Sequence, residues 1–188
     1  MLKYIKEFDT HLEITGFENV RIPDIGWFLK TIRKEKPKNV EIQFFDAKLV
    51  STWQHLYFAV LNALTAFKNK GNISKSLAME IMLYASAQHQ IRKATKLFGI
   101  KSPVSNVAML VVGEKSEDVK LAISRASKHV KAQADEAVLE MSEEKAMLIR
   151  KVFGISETEL ETMIKENNSE RVLTDLVIER MALLGTQR

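Results

Sequence analysis

The stretch MEIMLYASAQHQIRKATKLFGI (residues 79–100) begins as an apolar helix and changes character halfway. From Ala85 to Gln90 it places three small residues, Ala-Ser-Ala, before three polar ones, Gln-His-Gln. Helical apolar spacing then resumes at Ile91, Ala94, Leu97 and Phe98. The pattern predicts two helices separated by a break at Ala85–Ala87.

The break predicts a polar turn that is suited to an anionic ligand. If Ser86 caps the second helix, its first turn presents Gln88, His89 and Gln90 with free backbone N–H groups, which favour phosphates. Side chains of these types also hydrogen-bond to unpaired bases or stack on them. The alternative interpretation is that Ser86 is an ordinary cap and that the polar side chains form a solvated face.

Charge is distributed unevenly along the chain, whose net charge is +4. Residues 67–102 contain seven Lys or Arg against one acid, Glu80, whereas residues 135–188 contain twelve acids against seven Lys or Arg. The cations considered for a polyanion contact are Lys70, Lys75, Arg92, Lys93 and Lys96. A basic segment favours a polyanionic partner, and the acidic final third repels one.

Composition limits the classes of protein to consider. The 188 residues, of which 46% are hydrophobic and 28% charged, predict one globular domain with a substantial core. No apolar run approaches the ~20 residues of a membrane-spanning helix, and we predict a cytoplasmic protein. The absence of cysteine excludes disulfides and thiolate zinc sites, and four scattered histidines do not predict a metal site.

The rest of the chain predicts an α/β (α+β) fold, with a small antiparallel or mixed sheet covered by helices. An N-terminal hairpin is expected over residues 1–22, and strands are expected at 39–45, at 105–112 and at the edge segment AVLEM (137–141). Helices are expected near 23–33, 50–68 and 116–131, and a helical segment is expected over 142–188. We predict no bound cofactor.

The helix predicted over 50–68 has two distinct faces. At 100° per residue, the large apolar side chains form one narrow arc: Val50, Trp53, Tyr57, Val60, Leu64 and Phe67. The opposite arc is small and polar: Ser51, His55, Ala59, Asn62 and Ala66. A face of that kind allows close approach by another group.

The last helix, near 169–185, is apolar over about two-thirds of its circumference. A helix packed on one side of a domain needs only a stripe, so this helix is either deeply buried or covered by another chain. The second interpretation makes it a candidate partner surface, with Val172, Leu173, Leu176, Val177 and Arg180 as its contact residues.

Signals for catalysis are weak. The sequence contains no Gly-rich phosphate loop, no H-E-x-x-H and no G-x-S-x-G. A small hydrolase that uses His55 or His89 is a third interpretation, but a catalytic set is recognised by geometry rather than by residue types. No catalytic residue is assigned.

Three segments resemble a known family. They are DAKLVSTWQHLYFAVLNAL (46–64), SKSLAMEIMLYASAQHQIRKATKLFGI (74–100) and VAMLVVGE (107–114), and EEKAMLIRKVFGI (143–155) looks similar as well. They resemble the regulatory subunits of the KEOPS complex of archaea and eukaryotes, which include the PRPK-binding protein of animals. The most specific match is Glu80–Ala94, in which His89 stands where the archaeal relatives have Arg.

The resemblance implies a non-catalytic subunit with a small antiparallel sheet covered by helices. It implies binding to the atypical kinase/ATPase of the complex, stimulation of that kinase, and recruitment of tRNA through its single-stranded 3′ CCA end for threonylcarbamoyladenosine modification. Contact with the other KEOPS subunits is then indirect. On this basis Ser86, Gln88, His89 and Gln90 would contact bases in a recess made by Ala85–Ala87, with the His55 face as a wall. The alternative is a purely protein–protein regulator of the kinase without RNA contact.

Overall fold

A computed structural model describes residues 2–103, 106–163 and 169–185. The described residues contain four strands and eight α-helices, which confirms the predicted α+β class with its helical C-terminal portion. In chain order they are β1 Leu2–Ile5, β2 Thr10–Phe17, α1 Ile25–Glu35, β3 Val40–Asp46, α2 Trp53–Lys68, α3 Leu77–Ala85, α4 Ile91–Phe98, β4 Val107–Gly113, α5 Ser116–Val130, α6 Glu143–Phe153, α7 Glu157–Met163 and α8 Ser169–Leu184.

These elements form two compact units, each built from two segments of the chain. The first unit comprises Met1–Ala47 and Gly99–Val138, and the second comprises Lys48–Phe98 and Leu139–Arg188. The four strands, α1 and α5 belong to the first unit, and the other six helices belong to the second. No described helix is both long enough and apolar enough to pass through a bilayer.

The sheet of the first unit is entirely antiparallel, with the order β1-β2-β4-β3. Strand β4 is central and every one of its residues is buried, as its uninterrupted apolar sequence indicates. Ile14 of β2 lies opposite Leu110, and Phe44 of β3 lies opposite Met109. The N-terminal residues therefore supply β1 and β2, and β2 pairs with β4 from His11 to Phe17.

Helices α1 and α5 contribute to a hydrophobic core with one face of this sheet. Alternate residues of β3 and β4, such as Phe44 and Met109, are buried together with Phe28 and Ile32 of α1 and with Ala122 of α5. The rings of Phe28 and Phe44 meet edge to face, with centroids 5.0 Å apart. This packing leaves the opposite faces of α1 and α5 exposed.

A close contact at Gly16 explains why the predicted edge strand at AVLEM is wrong. A Cβ at Gly16 would lie 2.4 Å from the carbonyl oxygen of Asp135 and 2.9 Å from the Cβ of Val138. Asp135 donates its N–H to the carbonyl oxygen of Gly16 at 2.9 Å, and the chain then forms a 3-10 turn over Glu136–Leu139. The segment packs across β2 instead of pairing as a strand.

In the second unit, α2 buries the face that is small and polar in its sequence. His55, Ala59, Ala63 and Ala66 are buried, whereas Trp53 of the apolar arc is 37% exposed. Helix α3 packs closely on α2, and a close approach between two helices requires small side chains at the contact. The expectation of a close approach is confirmed, and the approaching group belongs to the same chain.

Candidate nucleic-acid interface

The break after α3 is a Schellman motif whose left-handed residue is Ala87, with a φ of +48°. Ala87 donates its N–H to the carbonyl oxygen of Tyr84 at 2.9 Å, and Gln88 donates to that of Leu83 at 3.0 Å. These two bonds satisfy carbonyls that the end of a helix otherwise leaves free. The motif ends α3 sharply and turns the chain toward Gln88–Gln90.

Ser86 belongs to the end of α3, so the prediction that it caps the next helix is wrong. Its hydroxyl donates to the carbonyl oxygen of Met82 at 2.8 Å, and the residue is only 1% exposed. Helix α4 begins at Ile91, which places Gln88, His89 and Gln90 in the connecting segment. Because Ala85 is also buried, the recess expected at Ala85–Ala87 does not exist as an open surface.

His55 supports this junction from inside the second unit. Its Nε2 donates to the carbonyl oxygen of Ala85 at 2.8 Å, and its Nδ1 accepts the N–H of Ser51 at 3.2 Å. Its ring packs edge to face against Phe98 and Phe153. Burial lowers the pKa of His55 from 6.5 to about 4, so it is neutral at pH 7. His55 therefore positions the end of α3 and forms no wall of an open site.

The exposed part of the junction consists of polar and cationic side chains. His89, Gln90, Arg92, Lys93 and Lys96 are exposed, and Gln88 is half-buried. The first helical hydrogen bond of α4 runs from the N–H of Ala94 to the carbonyl oxygen of Gln90, at 3.0 Å. The N–H groups before Ala94 therefore lie ahead of the i→i−4 hydrogen bonds of this helix. Ala94 and Phe98 anchor the other side of α4 in the core. We call residues 88–96 the junction surface.

Glu80, the one acid of the basic segment, lies inside the protein. It is completely buried, and its carboxylate accepts the N–H groups of Ile73 at 3.0 Å and Ser74 at 2.7 Å. Charged acceptors form strong hydrogen bonds to backbone N–H groups. The carboxylate thus holds the loop before α3, and residues 67–102 present no acidic side chain at the surface.

Lys70 and Lys75 are exposed, but they lie at the other end of α3 from the junction surface. Both residues precede Leu77, where α3 begins. The nine residues of α3 extend about 12 Å along the helix axis before the junction surface is reached. Lys70 follows α2 in a second left-handed turn, with a φ of +55°. The structure therefore separates the predicted cations into two groups, and only Arg92, Lys93 and Lys96 accompany Gln88–Gln90.

The apolar face of α8 is covered by the second unit itself. The side chains of Val172, Leu173, Leu176 and Val177 are at most 4% exposed, and α8 packs against α2, α3, α6 and α7. Of the two interpretations of this helix, deep burial is right, and the predicted partner contacts at these four residues are wrong. Arg180 is partly exposed and pairs with Glu159 of α7.

Two shallow depressions lie beside α6 and α7. One, of about 450 Å³, is lined by residues that include Met147 and Ile155, and Met147 is 65% exposed. The other, of about 370 Å³, is lined by residues that include Met163 and Leu176. Ser156 lines both, so the two depressions are adjacent. We call them the α6–α7 groove.

The fold and the junction surface define the class of protein as a small α+β protein in which one segment of the helical unit, residues 48–98, is inserted between strands β3 and β4. Over residues 18–185 the sequence matches the model of the family described as Kinase binding protein CGI-121, and the chain belongs to this family. The match includes α1 and β3 as well as the segments from residue 46 onward that carry the resemblance.

Two curated relatives agree with this assignment. A protein named Regulatory protein Cgi121 from Methanocaldococcus jannaschii is 34% identical over 116 residues, which are 62% of this chain and 72% of that protein. An EKC/KEOPS complex subunit CGI121 from Candida glabrata is 31% identical over 113 residues, 60% of this chain and 61% of that protein. The chain thus spans less than two-thirds of the length of the second relative.

Proposed function

We propose that this chain is a non-catalytic KEOPS subunit that binds and stimulates the atypical kinase/ATPase of the complex. It also helps to recruit tRNA through its 3′ CCA end for threonylcarbamoyladenosine modification. Membership of the CGI-121 family and the names of the two relatives support the kinase and complex parts. The observation that carries the RNA part is the junction surface, where cations and amides are exposed and the neighbouring acid, Glu80, is buried.

The junction surface suits an unpaired RNA end for two reasons. The amides of Gln88 and Gln90 hydrogen-bond to base edges, and the ring of His89 stacks on a base. Arg92, Lys93 and Lys96 neutralise phosphates of the same strand. Lys70 and Lys75, which precede the start of α3, contact nucleotides further along the strand. Ser86, Ala85 and His55 position the surface without touching RNA.

The RNA part is tested by the binding of the full chain to intact tRNA and to tRNA without its CCA end, at two salt concentrations. We expect binding to require the CCA end and to weaken with salt, because phosphate contacts release counterions. Lys93→Glu with Lys96→Glu is expected to weaken binding of intact tRNA at least tenfold, since each change removes one phosphate contact. Lys6→Glu with Lys115→Glu, two exposed cations of the first unit, is the charge-matched control.

Each outcome has a distinct meaning. Equal binding of the two RNAs contradicts recognition of the 3′ end and leaves a nonspecific basic surface. Binding that both variants weaken equally contradicts the junction surface as the site. No binding of either RNA leaves the alternative function, a purely protein–protein regulator of the kinase.

We propose the α6–α7 groove as the surface that binds the kinase. Exposed methionines adapt to apolar partners, and Met147 is the most exposed large hydrophobic residue of the described chain. The groove retains one of the residues predicted for this role, because Arg180 pairs with Glu159, which lines it.

Capture of the purified kinase tests this surface. Met147→Asp with Met163→Asp is expected to weaken kinase binding at least tenfold, because the two changes place charges in a desolvated contact. The control is Leu121→Asp, at an exposed apolar residue on α5 of the first unit. Unchanged kinase binding by a folded double variant would remove the groove from consideration.

A further inference from the structure

The outer faces of α1 and α5 form a second basic surface that the charge count along the sequence does not reveal. Helix α1 carries cations at three exposed positions, and α5 carries two more and has a third at its C-cap: Lys30, Arg33, Lys34, Lys120, Lys128 and Lys131. We call these six residues the α1/α5 basic face. At 100° per residue Lys120, Lys128 and Lys131 lie within an arc of about 80°, so they form one stripe.

The acids near this face are few, and each is placed at an edge or paired. Glu35 on α1 bonds to Nε2 of His129 at 2.8 Å, and Arg125 donates to the carbonyl oxygen of Glu35 at 2.7 Å. Glu117 and Asp118 are confined to the first turn of α5, and the side chain of Asp24 accepts the N–H of Trp27 at the start of α1. The middle and end of both helices therefore present positive charge.

An exposed aromatic ring accompanies these cations. Trp27 is 61% exposed, and its ring meets His129 edge to face with centroids 6.4 Å apart. His129 directly follows Lys128, so the indole lies beside the cationic end of α5 and away from Glu117 and Asp118. Proteins bind single-stranded nucleic acid by combining cations along the phosphate backbone with aromatic rings on which bases stack.

We propose that the α1/α5 basic face and Trp27 bind the phosphate backbone and an unpaired base of RNA, at a second site distinct from the junction surface. The contact does not read the 3′ end, because it consists of charge and stacking alone. It deepens the proposed function and rests on it for the identity of the RNA, a tRNA.

The test measures binding of the full chain to intact tRNA and to tRNA without CCA, over a series of salt concentrations. Lys34→Glu with Lys128→Glu is expected to weaken the binding of both RNAs by the same factor, about tenfold. It is also expected to reduce the slope of log affinity against log salt concentration by roughly two. Lys6→Glu with Lys115→Glu is the control with the same change in charge. Trp27→Ala is expected to weaken binding about fivefold or more, Trp27→Phe much less, and Tyr4→Ala, the exposed aromatic control, not at all.

The outcomes separate this inference from the function on which it rests. If the Lys34/Lys128 variant and the Lys6/Lys115 control bind RNA equally, the second site is overturned, whatever the CCA dependence. If CCA removal has no effect while the Lys34/Lys128 variant still weakens binding, the 3′-end function fails and the second site holds. Phosphatidylcholine vesicles containing phosphatidylserine are the competing probe: a variant that loses vesicle binding but keeps RNA binding assigns the face to a membrane surface and overturns the proposal.

Discussion

The α3–α4 junction and helix α8 both depart from the apolar pattern of a helix packed on one side, but they depart in opposite directions. At the junction, polar side chains interrupt an apolar pattern and lie at the surface, where a ligand can reach them. In α8, apolar side chains exceed what one packed face needs, and the second unit buries them on several sides. The polar residues that interrupt the α3–α4 pattern therefore indicated an exposed surface correctly. The extra apolar residues of α8 did not indicate a partner surface, because a partner chain and a neighbouring helix bury apolar side chains by the same hydrophobic effect.

The largest loss of stability is expected at the buried apolar residues of α8, where the core and partner-surface interpretations predict different results. Leu176→Arg places a charge among buried side chains and is expected to lower the free energy of unfolding by about 4 kcal/mol or more. Leu183→Arg, the same change at a residue of α8 that is 39% exposed, is expected to cost little. Circular dichroism during chemical denaturation measures both. A Leu176→Arg variant with normal stability and no kinase binding would restore the interpretation of α8 as a partner surface.

The buried support of the junction is expected to make the stability depend on pH. Unfolded His55 titrates near 6.5 and folded His55 near 4, so protons bind the unfolded chain more readily between these values. Protonation would also place an N–H on Nδ1 of His55, which then could no longer accept the N–H of Ser51. The free energy of unfolding is therefore expected to be fully present above pH 6.5 and to fall by up to roughly 3 kcal/mol as the pH decreases to 4.

Two variants isolate this contribution. His55→Gln is expected to be less stable at pH 7 and to lose most of the decrease between pH 6.5 and 4, whereas the exposed His89→Gln is expected to keep it. Denaturation curves at pH 7, 6 and 5 give the comparison. An unchanged pH profile in His55→Gln would contradict the assignment of His55 as the buried neutral support of Ala85.

Much of the fold was predictable from local patterns, because those patterns depend on near neighbours. The strand expected at 39–45 is β3, and the helical segment expected from residue 142 begins with α6, where Ser142 accepts the N–H of Lys145. The side of α2 that is buried was not predictable from its large apolar residues. That choice depends on how closely α3 approaches, and the small face permits the closer approach.

The exposed half of the candidate site was also predictable, whereas its support was not. Gln88, His89 and Lys93 stand out by residue type alone. The roles of Ser86 and His55 depend on which carbonyl lies within hydrogen-bonding distance, and such a contact between residues 55 and 85 has no local signal. The α1/α5 basic face was missed for the same reason, since about ninety residues separate its two helices and charge counts along the chain do not combine them.

A smaller effect is expected from the buried acid that holds the other end of α3. Glu80→Gln keeps the shape and one acceptor oxygen, but it removes the negative charge and places an amide N–H₂ where Oε1 accepts the N–H of Ile73 at 3.1 Å. We expect a loss of about 2 kcal/mol in the free energy of unfolding, the range for a hydrogen bond to a charged group. Glu179→Gln, on the exposed side of α8, is the control and is expected to change little. Equal stabilities would mean that the carboxylate is dispensable for the loop before α3.

The smallest effect, and the only stabilising one, is expected at Ala87. A left-handed conformation costs a residue with a Cβ about 1–2 kcal/mol, and glycine avoids this cost while losing more backbone entropy on folding. Ala87→Gly is therefore expected to raise the free energy of unfolding by about 0.5–1 kcal/mol. Ala85→Gly, two residues earlier within α3, is expected to lower it by about 1 kcal/mol. Thermal and chemical denaturation of the three proteins measure the difference.

The same pair of variants tests whether the junction surface depends on the Schellman motif. If the motif holds Gln88–Gln90 in place for RNA, Ala87→Gly preserves both its hydrogen bonds and tRNA affinity, because glycine adopts the same φ without strain. Ala85→Gly weakens the last turn of α3, from which the motif is built, and is expected to reduce tRNA affinity along with stability. A loss of affinity in the more stable Ala87→Gly protein would show instead that the methyl group of Ala87 contacts the RNA.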